Sequence, residues 1–222
     1  MTARNAAVGH VFGLAGLIWQ PGRYMDDAWW QAFDMAPWRE TYRRHAVCRA
    51  HIDALLTGRR GWPDSRATCS PTCNPPQSDA ALAMLQQIPS LRRVALAYGL
   101  QAMARPDYLL LGPYRRALSP WLRGWQCDRL LLTRHAWPAH TAHSPERIVI
   151  AAMTATGACL DVAAPSSEAD VETVGKAARM LLPPSLDAPP PAAGVTIDAS
   201  VDDIWLRLAA LEKMLCMSSI LH

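Results

Sequence analysis

Proline punctuates this chain at short intervals, and that restricts it to short helices. There are 18 prolines in 222 residues. Each removes a backbone N–H donor and clashes with the preceding helical turn, so it is tolerated where a helix starts and disruptive inside one. Pro37, Pro89, Pro106 and Pro120 each stand before a stretch whose apolar residues recur at three- and four-residue spacing. Short prolyl breaks between amphipathic segments are the pattern of a compact, irregular helical bundle, and the predicted fold class is mainly α.

The segments follow in order. Asp26 and Asp27 precede a short apolar helix holding Ala28, Trp29, Trp30, Ala32 and Phe33, where carboxylates suit the N-terminal dipole. From Pro37, the positions Trp38, Tyr42, His45, Cys48, Ile52 and Leu55 define one face of a helix ending at Gly58. Arg39, Glu40, Arg43 and Arg44 take the other face, and His45 reads as a hydrogen-bonded core histidine. Residues 58–78 form a long loop rich in Gly, Pro, Ser and Thr. Trp62 within it reads equally as a partner contact or as a plug over the core. Ser78 or Asp79 caps a helix to Gln87. Pro89 opens one with Leu91, Val94, Tyr98 and Met103, and Pro106 one with Tyr108, Leu109, Leu110 and Leu111. Tyr114–Leu118 continues as helix, and Pro120 opens a fourth with Trp121, Leu122, Trp125 and Leu130.

Residues 135–145 read as a loop. Ile148–Ala164 is either a buried helix or, if Thr154, Thr156 and Gly157 mark a turn, a small β-hairpin near 148–163. Ser167 and Asp170 resemble a capping pair before a helix through Val171, Val174, Ala178 and Leu181. The predicted organisation is a helical core over residues 1–182, with 1–22 as a loosely ordered lead-in, a proline-rich linker over 183–196, and an amphipathic helix over 197–222. In that last helix, capped by Asp198 or Ser200, Val201, Ile204, Trp205, Leu208, Leu211 and Leu215 form one stripe, and Asp203 and Arg207 pair at i,i+4. A stripe of this kind folds back on its own core or clips onto a partner.

Composition adds bounds. Half the residues are hydrophobic, enough for a core without staples. Nine tryptophans are expected to be mostly core. The net charge of +3 is mild, and no basic stripe carries interleaved aromatics, which argues against nucleic acid as a partner. Residues Asn5–Gly22 lack formal charge, but His10 and three glycines interrupt the run and no small-x-small site follows Trp19, so the expectation is a cytoplasmic chain without signal peptide or membrane insertion. Of the six cysteines, Cys48, Cys127, Cys159 and Cys216 read as small buried hydrophobes. Cys69 and Cys73 share a segment, yet a zinc site needs a second ligand pair, and His135, His140 and His143 supply it poorly.

Chemical motifs do not emerge. Gly13, Gly16 and Gly22 follow no strand, so they make no nucleotide-binding loop, and there is no Gly-x-Ser-x-Gly elbow or His-Glu-x-x-His pair. Cys127 with His135 is the one nucleophile–base pairing worth naming, and an inert cysteine is the plainer reading. No catalytic residue, metal or cofactor is expected. The most distinctive segment is Gly112–Trp125, where arginine and tryptophan, the residue types of interface hot spots, sit together. Arg115, Arg116, Trp121, Trp125 and the separate Trp62 are the candidate partner-binding residues. Arg115 and Arg116 on a solvated face with the tryptophans inward is the plainer alternative.

Several runs in the middle of the chain resemble the SctK family, accessory proteins of the type III secretion sorting platform, in its Hrp-system branch. They are Pro21-Gly22-Arg23-Tyr24 followed by Trp29-Trp30, the run Ile88–Ala95 leading to Gly99-Leu100, Leu109–Leu118, and Pro120-Trp121-Leu122. The resemblance covers about residues 12–135 and does not extend to the proline linker and final helix. It implies a non-enzymatic cytoplasmic adaptor, peripheral to the inner membrane. Such an adaptor links the cytoplasmic domain of the inner-membrane ring protein to pods of a C-ring-like protein. The alternatives are a secretion chaperone or regulator that binds one effector, and a cysteine-dependent hydrolase.

Overall fold

The computed structural model describes residues 13–62, 78–133, 143–185 and 200–217, and within them it is a set of helices joined by tight turns. The helices are α1 (residues 13–19), α2 (Pro21–Tyr24), α3 (Ala28–Ala32), α4 (Trp38–Arg44), α5 (Arg49–Arg60), α6 (Asp79–Gln87), α7 (Leu91–Met103), α8 (Asp107–Leu110), α9 (Gly112–Leu118), α10 (Gly124–Leu132), α11 (Ile148–Val162), α12 (Ala169–Arg179) and α13 (Val201–Cys216). No strand occurs among the described residues; one isolated parallel bridge joins Ala164 to Ser200. The mainly helical class holds.

Two compact units divide the chain, one of Met1–Ile88 with Ser167–Pro184, the other of Pro89–Ser166 with Ser185–His222. The first unit is built around Met25, Trp30, Met35, Tyr42, Ile52, Leu56 and Met180, with Trp29 and Phe33 packed against them. Its α12 returns from late in the sequence to lie on α6, and the backbone N–H of Ser78 donates to Asp170 at 2.9 Å. Asp170 thus serves the start of α6 rather than a capping pair with Ser167, and Glu168 stands at the N-cap of α12. Trp29 donates its indole N–H to the Leu182 carbonyl at 2.8 Å, and the buried Arg179 guanidinium lies over the Trp29 ring.

Two expectations for this unit change. The lead-in is ordered from residue 13: α1 buries Leu14, Leu17 and Ile18. Arg60 donates to the Leu17 and Ile18 carbonyls at the C-terminal end of α1 and to the Trp62 carbonyl, which satisfies orphan acceptors there. The helix drawn from Trp38 to Gly58 is in fact two. His45 adopts an extended conformation, a 3-10 turn covers Ala46–Cys48, and α5 then runs through Gly58 to a left-handed Gly61. Arg49 holds the break by donating to the carbonyls of Tyr42 and Arg43 at 3.0 Å each. As a consequence His45 is exposed, Trp38 is 46% exposed, and the inward face is Tyr42, Ile52, Asp53 and Leu56.

The second unit centres on α7 against α11, its most extensive helix pair. The interface is close because small residues line it: a Cβ on Gly99 would stand 1.8 Å from the Ala152 carbonyl oxygen. Thr156 donates across to the Ala95 carbonyl at 2.6 Å. Ile148–Val162 is therefore a helix, and the hairpin reading fails. Thr156 and Gly157, which would have marked the turn, are buried packing positions, and the Thr156 hydroxyl is satisfied without leaving helical geometry.

Helix α10 begins at Gly124, with Pro120–Leu122 forming a turn rather than its first residues. Helix α13 folds back onto α7 and α11, burying Val201, Ile204, Trp205, Leu208, Leu211 and Leu215. Ser200 caps it in a reciprocal box with Asp203, whose carboxyl is held below its usual range by the Ser200 backbone N–H. At the other end, Gln126 and Arg129 of α10 donate to the carbonyls of Met214, Leu215 and Met217. Of the predicted linker, residues 186–196 lie outside the described residues, as do residues 1–12 and Asp198.

Candidate functional site

The first unit carries a cleft of about 760 Å³ whose walls come from α1 to α5. Its apolar lining includes Trp19, Trp30 and Tyr42, and Arg23, Arg43 and Arg49 stand around it with Asp27 as the acidic member. The local fold dictates this arrangement. Gly22 sits against the Tyr42 ring, where a Cβ would lie 2.8 Å from ring carbons and 3.1 Å from Asp53. Beneath, the Asp53 carboxylate accepts the Gly22 N–H at 3.0 Å and the Tyr42 hydroxyl at 3.1 Å. Burial pushes the Asp53 carboxyl above its usual range, partly offset by those two bonds and by Arg49. The same burial and the Asp53 charge push the Tyr42 hydroxyl up as well. Asp53 is 4% exposed, so its role is to hold α2 and α4 to α5.

Charge around the cleft is unevenly matched. Asp27 pairs with Arg39 and with Arg43, the latter at 3.3 Å. Arg23 lies beside the Tyr24 ring and Arg49 beside the Tyr42 ring, and among the described residues neither has a carboxylate within ion-pair distance. The indole nitrogen of Trp19 is buried and has no hydrogen-bond partner among the described residues. The sequence reading missed this cleft. The one available signal was the Pro21–Tyr24 run, and nothing in spacing places it beside Arg43 and Arg49, because the break at His45–Cys48 is what turns α4 back against α5.

The residues singled out from the sequence do not line this cleft: Trp62 belongs to the first unit, and Arg115, Arg116, Trp121 and Trp125 to the second. Arg115 is tied inward: its Nε donates to the Leu109 carbonyl at 2.7 Å and its Nη2 pairs with Asp128, so it fastens α9 to α8 and α10. Arg116 is exposed, and Trp121 is 37% exposed. Trp125 is half-buried beneath the Arg129 guanidinium. Trp62 is half-buried, with the Arg60 guanidinium 4.8 Å from its ring centre; burial lowers that guanidinium to about 10. Tryptophan as a class is less buried than composition suggested. Trp30 and Trp205 are core, Trp19, Trp29, Trp62 and Trp125 are half-buried, and Trp38 and Trp121 are exposed.

Cys127 is 1% exposed and burial raises its thiol, as it does that of Cys159. A thiol held protonated is a poor nucleophile. His135, the base proposed for it, lies outside the described residues, as do His140, Cys69 and Cys73. Cys48 is half-buried and Cys216 exposed, so the reading of four buried thiols holds for two. Among the described residues no group of three or more His, Cys, Asp or Glu side chains is placed to hold a metal ion.

A family model described as a type III secretion system subunit matches residues 13–184. The chain belongs to that family. No curated protein and no solved structure gives a significant match. The matched span of this type III secretion subunit takes in the whole arginine-lined cleft and the Arg115–Trp125 segment, and stops short of α13. None of the subunit's described helices is long and apolar enough to cross a membrane.

Proposed function

We propose that this type III secretion subunit is a non-enzymatic adaptor of the SctK kind. In this reading it joins the cytoplasmic domain of the inner-membrane ring protein to the pods of the sorting platform. It works at the cytoplasmic side of the inner membrane and is held there through protein partners. The observation that carries the proposal is how the ionisable groups of the cleft are used. Its buried carboxylate is spent on tying three helices together, while its arginines stand at an exposed aromatic hollow. Those are the parts of a gripping surface: planar cations and tryptophans supply large contact area and directed hydrogen bonds. The sealed thiol of Cys127 weighs in the same direction.

Affinity capture of the tagged subunit from cells that assemble the secretion apparatus tests this. The expected result is co-recovery of both the ring protein and the pod protein. Stable one-to-one capture of a secreted effector, with neither platform component, would replace the adaptor with a chaperone.

A further inference from the structure

We infer that the cleft of the first unit is a docking site for an acidic peptide segment of a protein partner, one carrying Asp or Glu beside an apolar side chain. The inference rests on the adaptor reading for the kind of ligand and adds its chemistry. Three guanidiniums, Arg23, Arg43 and Arg49, line one hollow with one lining carboxylate, Asp27, which pairs with Arg43, while the Asp53 carboxyl is buried beneath. The local balance is 3 − 1 = +2 from the lining residues, on a chain whose net charge is only +3. Arg23 lies beside the Tyr24 ring, and Arg49, beside the Tyr42 ring, already donates its Nε and Nη2 to the Tyr42 and Arg43 carbonyls, so the bidentate contact to a carboxylate falls to Arg23. The Trp19 ring lines the same hollow; its indole N–H, sealed from solvent, has no acceptor among the described residues. Trp19, Trp30 and Tyr42 give an apolar side chain something to lie on.

A peptide suits the cleft better than other polyanions. A nucleic-acid surface presents a basic stripe on a strongly basic domain, whereas here Asp27 stands among the arginines and would repel a dense phosphate array. The hollow is also concave and aromatic rather than a flat basic face for a lipid surface.

The test uses the full chain and a fluorescent twelve-residue peptide of alternating Glu and Leu, with a Gln-for-Glu twin as the neutral control. The acidic peptide is expected to bind and to weaken as salt rises, and the neutral twin to bind at least about tenfold more weakly. Arg23→Glu with Arg43→Glu should weaken binding about tenfold or more, while Lys213→Glu, an exposed change on α13, stays within about twofold. Arg49 is left intact because it caps α4. Asp27→Asn should tighten it about twofold or more, a gain that a damaged fold cannot mimic. Failure of the acidic peptide to bind, equal binding of its neutral twin, an unchanged affinity in the arginine double variant, or stronger binding to phosphatidylglycerol vesicles would each overturn the assignment. Capture of ring and pod proteins from cells separates the two levels. If the Arg23→Glu/Arg43→Glu chain retains both at full yield, the cleft assignment fails and the adaptor stands; if the unaltered chain captures neither, the adaptor fails whatever the peptide does.

Discussion

At the scale of single residues, Asp53 shows how a polar group in a core can be structural and still tie the fold to pH. Its carboxyl joins Gly22 of α2 and Tyr42 of α4 to α5, with Arg49 nearby and Tyr42 as its titratable neighbour. Burial raises its pKa in the folded chain above the value in the unfolded chain. The folded state therefore holds the proton more tightly, and the stability this gives is full below the unfolded value of about 4 and is lost as pH rises through the raised one. Asp53→Asn keeps an acceptor for Gly22 and removes the buried charge. Its stability relative to the unaltered chain should climb as pH rises above about 4, read by urea melts across a pH series. Asp53→Ala leaves both donors without an acceptor and should cost about 1–3 kcal/mol at pH 4 as well.

Among elements, α7 and α11 show that small residues decide how close helices come. The 1.8 Å separation between a Cβ on Gly99 and the Ala152 oxygen leaves no rotamer to absorb it, since both partners are backbone. Gly99→Ala must push the helices apart, with an expected loss of about 3 kcal/mol or more in chemical denaturation. Gly58, inside α5 with nothing within 4 Å of a Cβ, provides the contrast. Gly58→Ala should stabilise by about 0.5–1 kcal/mol, because only backbone entropy changes there.

At the scale of the whole molecule, α13 completes the second unit. It buries six apolar side chains, at about 1.5–3 kcal/mol each, a sum comparable with the whole net stability of an ordinary domain. Deleting residues 200–222 should leave a chain that keeps helical circular dichroism, binds a hydrophobic dye strongly and melts without a sharp transition. A truncated chain melting at an unchanged temperature would show that the helix is an accessory. The matched family span, residues 13–184, ends before α13.

What the sequence by itself determined was the local grammar. Proline positions and apolar spacing located α3, α6, α7, α8, α9 and α13, and Ser200 was one of the two residues that read as the cap of α13. These signals survive because they depend on neighbours within one or two turns. Tertiary structure alone decided the rest. The break at His45 is invisible in a pattern that runs smoothly from Trp38 to Leu55, since Arg49 makes it by reaching back to carbonyls six and seven residues away. Apolar spacing left residues 148–162 open between helix and hairpin; the structure shows them as a helix packed on α7, with Thr156 hydrogen-bonded to Ala95, 61 residues away. The cleft gathers Trp19, Arg23, Arg43 and Arg49 from four separate helices, and no periodicity within any one of them encodes which side chains will face the same hollow.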